Sequence, residues 1–223
     1  MKRWAVLVVL LYFLLLVGLT VPLGLAAFYP GETLQGMVGI YSGWLYWVLV
    51  GLMVAGQATM LLVPIDLSLQ RPTTRRSVLW PVLAAGLMVG MLVAGATASL
   101  FELVMKERAW DLATVGQGAP VHAVILAVWA VWTLVFYRTS RDTAADVVSL
   151  QCRYLLKGSI LELLIAVPTH VIVRSRDYCC AGALTFLGIA FGVSVMLFSF
   201  GPGVLFLFAQ RWKRLQPQLP KAR

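Results

Sequence analysis

What most constrains this chain is the length of its apolar runs. Residues 4–28, 38–65, 78–105, 121–137, 158–173 and 181–208 carry few charges, and the connections between them are short and polar. A hydrocarbon core of ~30 Å takes about 20 helical residues to cross, and within it a helix satisfies its own backbone. The runs therefore predict an all-α, polytopic membrane helix bundle of six transmembrane helices. Hydrophobic residues make up 61% of the chain and charged residues 12%; soluble domains hold roughly 45–50% and about 25%. Little sequence is left over for a soluble domain, so residues 1–223 read as a single integral membrane domain.

The formal net charge is +9. In a soluble protein such a balance suggests nucleic acid, but here the bases sit in the short connections, as they do in cytoplasmic loops beside an anionic leaflet. The expected environment is lipid, with a membrane-protein partner or a second copy of the chain, and no nucleic acid. If six spans bring both termini to one side, fourteen of the eighteen lysines and arginines fall there, and only Lys106, Arg108, Arg174 and Arg176 fall on the other. That asymmetry places both termini in the cytoplasm, and the compactness of the chain alone suggests a bacterial-type inner membrane. A re-entrant fifth segment is the rival, because residues 158–173 span only about 24 Å as a helix. It would weaken the asymmetry to eleven against seven.

Local features refine the six runs. The first follows Lys2 and Arg3 and ends near Ala26 and Ala27; it exceeds the 7–15 residues of a signal-peptide core and reads as an uncleaved helix. The second opens with Tyr41, Trp44, Tyr46 and Trp47, rings suited to the headgroup level. Gly39 and Gly43 in it have small-xxx-small spacing, and Gln57 calls for an interhelical hydrogen bond. In the third, Gly86, Gly90, Ala94 and Thr97 share a face, and Glu102 falls in the last turn, where it is expected to snorkel to water. Between Arg138 and Lys157, Ala145, Val148, Cys152 and Leu155 recur at a helical period and suggest a short surface helix. Gly201, Pro202 and Gly203 predict a kink near the end of the sixth run.

Chemistry concentrates between Leu155 and Phe191. At 100° per residue, Ser159, Glu162, Thr169 and His170 fall within an arc of roughly 100° on the fifth helix, together with Ala166 and Val173. Leu161, Leu164, Pro168, Val171 and Ile172 lie mostly opposite. A polar stripe of this kind faces protein or water, and Ala181, Thr185, Gly188, Gly192 and Ser199 of the sixth helix form a small-residue stripe to receive it. Glu162 is hardest to explain by packing, since an acid at the centre of a spanning helix costs about 2.5–3.5 kcal/mol on insertion. Two readings stand: a proton or cation relay with Thr169 and His170, or an acid paired with Lys157, Arg153 or Gln57.

A second group forms if the six-span topology holds. His122, His170 and the adjacent Cys179 and Cys180 then reach the same outer face, leaving Cys152 alone on the inner side. The cysteine pair opening a membrane helix is similar to the vicinal pair of bacterial mercury-transport membrane proteins over the residues Cys179, Cys180, Ala181 and Gly182. Thiolates with imidazole suit a soft or borderline metal ion; a vicinal disulfide or two small apolar residues are the other readings. A b-type haem between the fourth and fifth helices is disfavoured because the chain has only two histidines. Quinone-coupled thiol oxidation lacks a second exofacial cysteine pair. No CxxC, HExxH or paired Cys/His spacing appears, no catalytic residue is assigned, and enzyme status stays open with a non-enzymatic role the leading reading. The expected functions are, in order, a small transporter or membrane accessory subunit with a polar path along helices five and six, a metal- or redox-active protein, and a structural subunit of a larger complex.

Overall fold

The computed structural model describes residues 2–27, 33–66, 79–105, 118–139, 144–176 and 181–215. Among these residues the chain is all-helical, without a strand: α1 (Lys2–Ala27), α2 (Thr33–Ser42), α3 (Trp44–Asp66), α4 (Leu79–Met105), α5 (Gly118–Thr139), α6 (Ala144–Arg174) and α7 (Ala183–Leu215). Four of the helices are long and apolar enough to cross a membrane, over Arg3–Pro22, Leu79–Met105, Val147–Arg174 and Ala183–Gly201. Leu34–Ser42 with Tyr46–Leu61 counts as a fifth if the bent pair is one broken span, and Leu126–Thr139 is a shorter apolar helix.

Helix α4 is the hub. It packs against α3, α5, α6 and α7, and Val82, Ala85 and Met88 on it are fully buried. Helix α1 lies at the periphery: Ala5, Tyr12 and Leu16 face inward, whereas Val6, Leu7, Leu10, Leu11 and Leu14 are all more than half exposed. Such side chains suit a lipid surface. The Tyr12 hydroxyl donates to the Ser194 carbonyl at 3.2 Å, and Tyr41 donates to the Val17 carbonyl at 2.8 Å. Tyr46 and Thr20 share a hydroxyl bond of 2.9 Å. Aromatic residues expected at the membrane interface thus also clamp α1 to α2 and α3.

Contacts between helices sort their ends. Ala5 packs with Leu61, Val8 lies beside Gly201, Gly56 meets Ala84 and Phe198, and the Trp129 indole donates to the Leu83 carbonyl at 3.1 Å. Phe136 stacks near Tyr154 with ring centroids 6.3 Å apart. The starts of α1, α4 and α6, the ends of α3 and α5 and the later part of α7 therefore gather at one end of the bundle. At the other, Arg176 donates to the Leu103 carbonyl at 2.9 Å, joining the exit of α6 to the end of α4.

Two local expectations change. The second apolar run is broken at Gly43 into α2 and α3, which meet at 62°. Gly43 N–H bonds to the Ile40 carbonyl at 3.1 Å, and the Trp47 indole donates to the Tyr41 carbonyl at 2.7 Å across the bend. Gly39 has open space where a neighbour was expected, so the pair serves a bend and not a helix contact. The surface helix before residue 158 is instead the first part of α6. Val147, Val148, Cys152 and Leu155 are buried in the same core as Val82 and Phe136, and that apolar face carries the helix on without a break. Helix α7 runs on through Gly201, Pro202 and Gly203 to Leu215.

Candidate functional site

The two faces of α6 differ as its periodicity requires. Ser159, Glu162, Ala166, Thr169 and Val173 are buried, while Leu161, Leu164, Val171 and Ile172 are more than half exposed. Helical spacing carries the inner face back to Gln151, which lies eleven residues before Glu162 and therefore about 20° away on the wheel; it too is buried. Because α6 begins at Ala144, Glu162 stands near the middle of the Val147–Arg174 span. The shorter helix expected from sequence placed it toward one end. At midspan the insertion cost of about 2.5–3.5 kcal/mol applies in full.

The Glu162 carboxyl enters a seam where α4 and α7 almost touch. Gly95 and Gly188 are in backbone contact: a Cβ added to Gly95 would lie 3.0 Å from the Gly188 Cα and 3.0 Å from Glu162 Oε1. One added to Gly188 would lie 2.8 Å from the Gly95 carbonyl oxygen and 3.1 Å from Glu162 Oε1. One on Gly192 would overlap Glu162 Oε2 and meet Leu163. Glycine at these three positions gives the carboxyl its space. Glu162 is 2% exposed, and neither carboxyl oxygen has a hydrogen-bond partner. Lys157 and Arg153 point outward, so the ion pairs considered from sequence are not made.

The other members of the polar stripe are occupied elsewhere. Ser159 donates to the Leu156 carbonyl at 2.9 Å and Thr169 to the Ile165 carbonyl at 2.6 Å, both on their own helix. His170 Nδ1 and the Thr185 hydroxyl are 2.8 Å apart. Since Thr185 gives its proton to the Gly182 carbonyl at 3.0 Å, His170 presents Nδ1–H to the hydroxyl oxygen. No hydrogen bond joins Glu162 to Thr169 or His170, although all lie on the inner half of α6.

Glu102, expected to snorkel to water, is 3% exposed and caps α7 from a neighbouring helix. Oε1 accepts from Gly182 N–H at 2.9 Å and Oε2 from Thr185 N–H at 2.7 Å. Gly182 precedes the first residue of α7, so these are the donors that a capping box satisfies within its own chain segment. Here one carboxyl from α4 takes both. Gly182 has φ +93°, a conformation that a side chain would strain, and a Cβ there would also meet the His170 ring.

Two buried amides lack partners as well. Neither side-chain amide atom of Gln57 or Gln151 is hydrogen-bonded, so the interhelical bond expected of Gln57 is not formed; its amide nitrogen instead lies against Gly201. On α4 the small-residue face also differs from expectation. Gly86 does meet Thr133 and Trp129 of α5, but Thr97 is exposed and bonds to the Val93 carbonyl of its own helix. The working seam is Gly95, Ser99 and Glu102.

Of the suggested metal ligands, Cys179 and Cys180 lie outside the described residues, as does the side chain of His122. Among the described residues no group of three His, Cys, Asp or Glu side chains is placed to hold a metal ion. Comparison with known proteins finds no matching family model, no matching curated protein and no matching solved structure.

Proposed function

We propose that this chain is a small transporter of the inner membrane, or the ion-carrying accessory subunit of a transport complex, with six spans and both termini in the cytoplasm. Its ion path runs along α6 and α7, past Gln151, Ser159, Glu162, Thr169 and His170, and Glu162 is the group that holds the ion. The observation that carries this reading is the Glu162 carboxyl: midspan, 2% exposed and without a hydrogen-bond partner. A subunit that served only as packing would gain by having leucine there, since an unpaired buried acid costs stability. The gathering of Lys2, Arg3, Arg138, Arg153 and Lys157 toward one end of the bundle, and of Arg174 and Arg176 at the other, supports the orientation.

Reconstitution tests the role of Glu162. Proteoliposomes with trapped pyranine and an imposed potassium diffusion potential report proton entry, and radiolabelled sodium reports the alternative ion. Wild-type protein is expected to pass one of the two, and Glu162→Gln to pass neither while melting near the wild-type temperature. Equal flux through wild type and variant would remove Glu162 from the path.

A further inference from the structure

We infer that the ion held by Glu162 is a proton, taken up by the carboxylate to give the neutral acid and released by the reverse step, and not an alkali or divalent cation. The inference rests on the reading of Glu162 as the ion-carrying group and adds the identity of the ion. The first argument is the supply of oxygen ligands. Calcium takes 6–8 oxygens, and sodium sites in membrane bundles draw on unwound backbone carbonyls and the ends of broken helices. At Glu162 the helices α4, α6 and α7 all run unbroken, so each carbonyl accepts a helical N–H and points along its own axis instead of into the seam. The Gly95 carbonyl additionally accepts the Ser99 hydroxyl at 2.8 Å. The side-chain oxygens with free lone pairs in the seam are the two of Glu162 and the Ser99 hydroxyl, which lies against Gly188 and gives its proton to the Gly95 carbonyl; three are too few to replace the hydration shell of a metal cation.

Space gives the second argument. The carboxyl is seated so closely on Gly188 and Gly192 that a methyl group on either would collide with the seam. A proton neutralises the acid without adding volume.

Charge gives the third. The elements packed against α6 are α4, α7 and, more lightly, α3. From α7, no titratable residue occurs between Ala183 and Gly201; its bases begin at Arg211, almost 30 Å further along the axis at ~1.5 Å per residue. From α4 the one ionisable group is Glu102, spent on the α7 cap. Helix α3 brings Tyr46 and, in its last turn, Asp66, and α6 itself brings exposed Lys157 and Arg153 on one side and His170, bonded to Thr185, on the other. Among the described residues the bases of α6 are Arg153 and Lys157, both exposed, and Arg174, ~18 Å along the axis from Glu162, so none of them is seated against the carboxyl and the balancing charge has to arrive and leave as a proton.

Dicyclohexylcarbodiimide, which enters bilayers and attacks protonated carboxyl groups, tests this on the full chain in detergent, with peptide mass mapping to locate the adduct. The expected result is label on Glu162 that falls about tenfold per pH unit once the acid ionises, at the same rate in sodium, lithium or choline chloride. A parallel difference infrared measurement should show a protonated carboxyl band that shifts in heavy water and is missing from Glu162→Gln. Protection by sodium or lithium over choline would overturn the proton assignment while leaving Glu162 as an ion site. Absence of both label and band at every pH would overturn it because the group then exchanges no proton. Failure of the parent reading looks different: flux that survives Glu162→Gln.

Discussion

Replacing Glu102 by alanine removes one side chain and strands two backbone donors. In the native fold the carboxyl accepts from Gly182 N–H and Thr185 N–H at 2.9 and 2.7 Å, in surroundings that leave Glu102 3% exposed. Hydrogen bonds to a charged group contribute roughly 1.5–3 kcal/mol each, and a buried donor left unpaired costs about 1–3 kcal/mol. These figures overlap, because the second partly counts the loss of the first. Allowing for that, and for an acid at a helix N-terminus contributing about 0.3–2 kcal/mol, Glu102→Ala should destabilise by about 3–5 kcal/mol. At roughly 2–4 °C per kcal/mol for a chain of this size, the melting point should fall by about 10 °C. Glu102→Gln keeps one acceptor oxygen but turns an amide NH₂ toward the other donor, so its loss should be smaller. The assay follows from Cys152, which is buried: with Cys179 and Cys180 changed to serine, a thiol-reactive dye reports unfolding of the detergent-solubilised protein through one residue. An alanine variant melting within about 2 °C of its parent would refute the capping argument, since even one charge-assisted bond exceeds that.

Two further outcomes follow from the same geometry. Gln57→Leu should leave the melting point unchanged or raise it by a few degrees in the same dye assay, because replacing a buried amide whose atoms have no partner removes a cost without breaking a bond; a fall comparable to that of Glu102→Ala would reveal a bond at Gln57. For topology, Arg138→Cys and Ser175→Cys are exposed positions at opposite ends of the bundle. With Cys179 and Cys180 removed and Cys152 buried, an impermeant thiol reagent added to sealed inverted vesicles should label Arg138→Cys and miss Ser175→Cys; labelling of both from one side would exclude the orientation.

Much of the helical architecture is written in apolar run length, and the inner face of α6 is written in its period. The alternation of Glu162 and Ala166 with Leu161 and Leu164 needs only 100° per residue to sort core from lipid, and burial follows that order. Gln151 obeys the same rule but sits in a stretch whose arginines and lysine make it look like a connection with a surface helix; it lies about two turns before Ser159 on the same wheel. The break at Gly43 was less legible, because glycine spacing serves a helix contact and a bend equally well and the choice depends on whether a neighbour is present. Glu102 shows a deeper limit. Its neighbours in sequence place it at a helix exit, where water is the default partner, while its actual partners are 80 and more residues away on a helix start that has no capping side chain of its own. Likewise Gly95 matters only because Gly188 arrives opposite it, and single-helix periodicity cannot register two faces against each other.

The two ends of the bundle are fastened differently. Where α7 begins, Glu102, Thr185, His170 and Arg176 tie α4, α6 and α7 together through directional bonds. Farther along, α7 rests against a carboxyl and an amide that grip nothing, each lying on glycine. Along that stretch the side-chain bond to α7 comes from α1, where Tyr12 donates to the Ser194 carbonyl, while Glu162 of α6 and Gln57 of α3 hold it by packing alone. A distance probe on α7 near Gly192 should therefore move more than one beside Thr185 when Glu162 is replaced by Gln, and equal movement of the two would refute this difference in fastening.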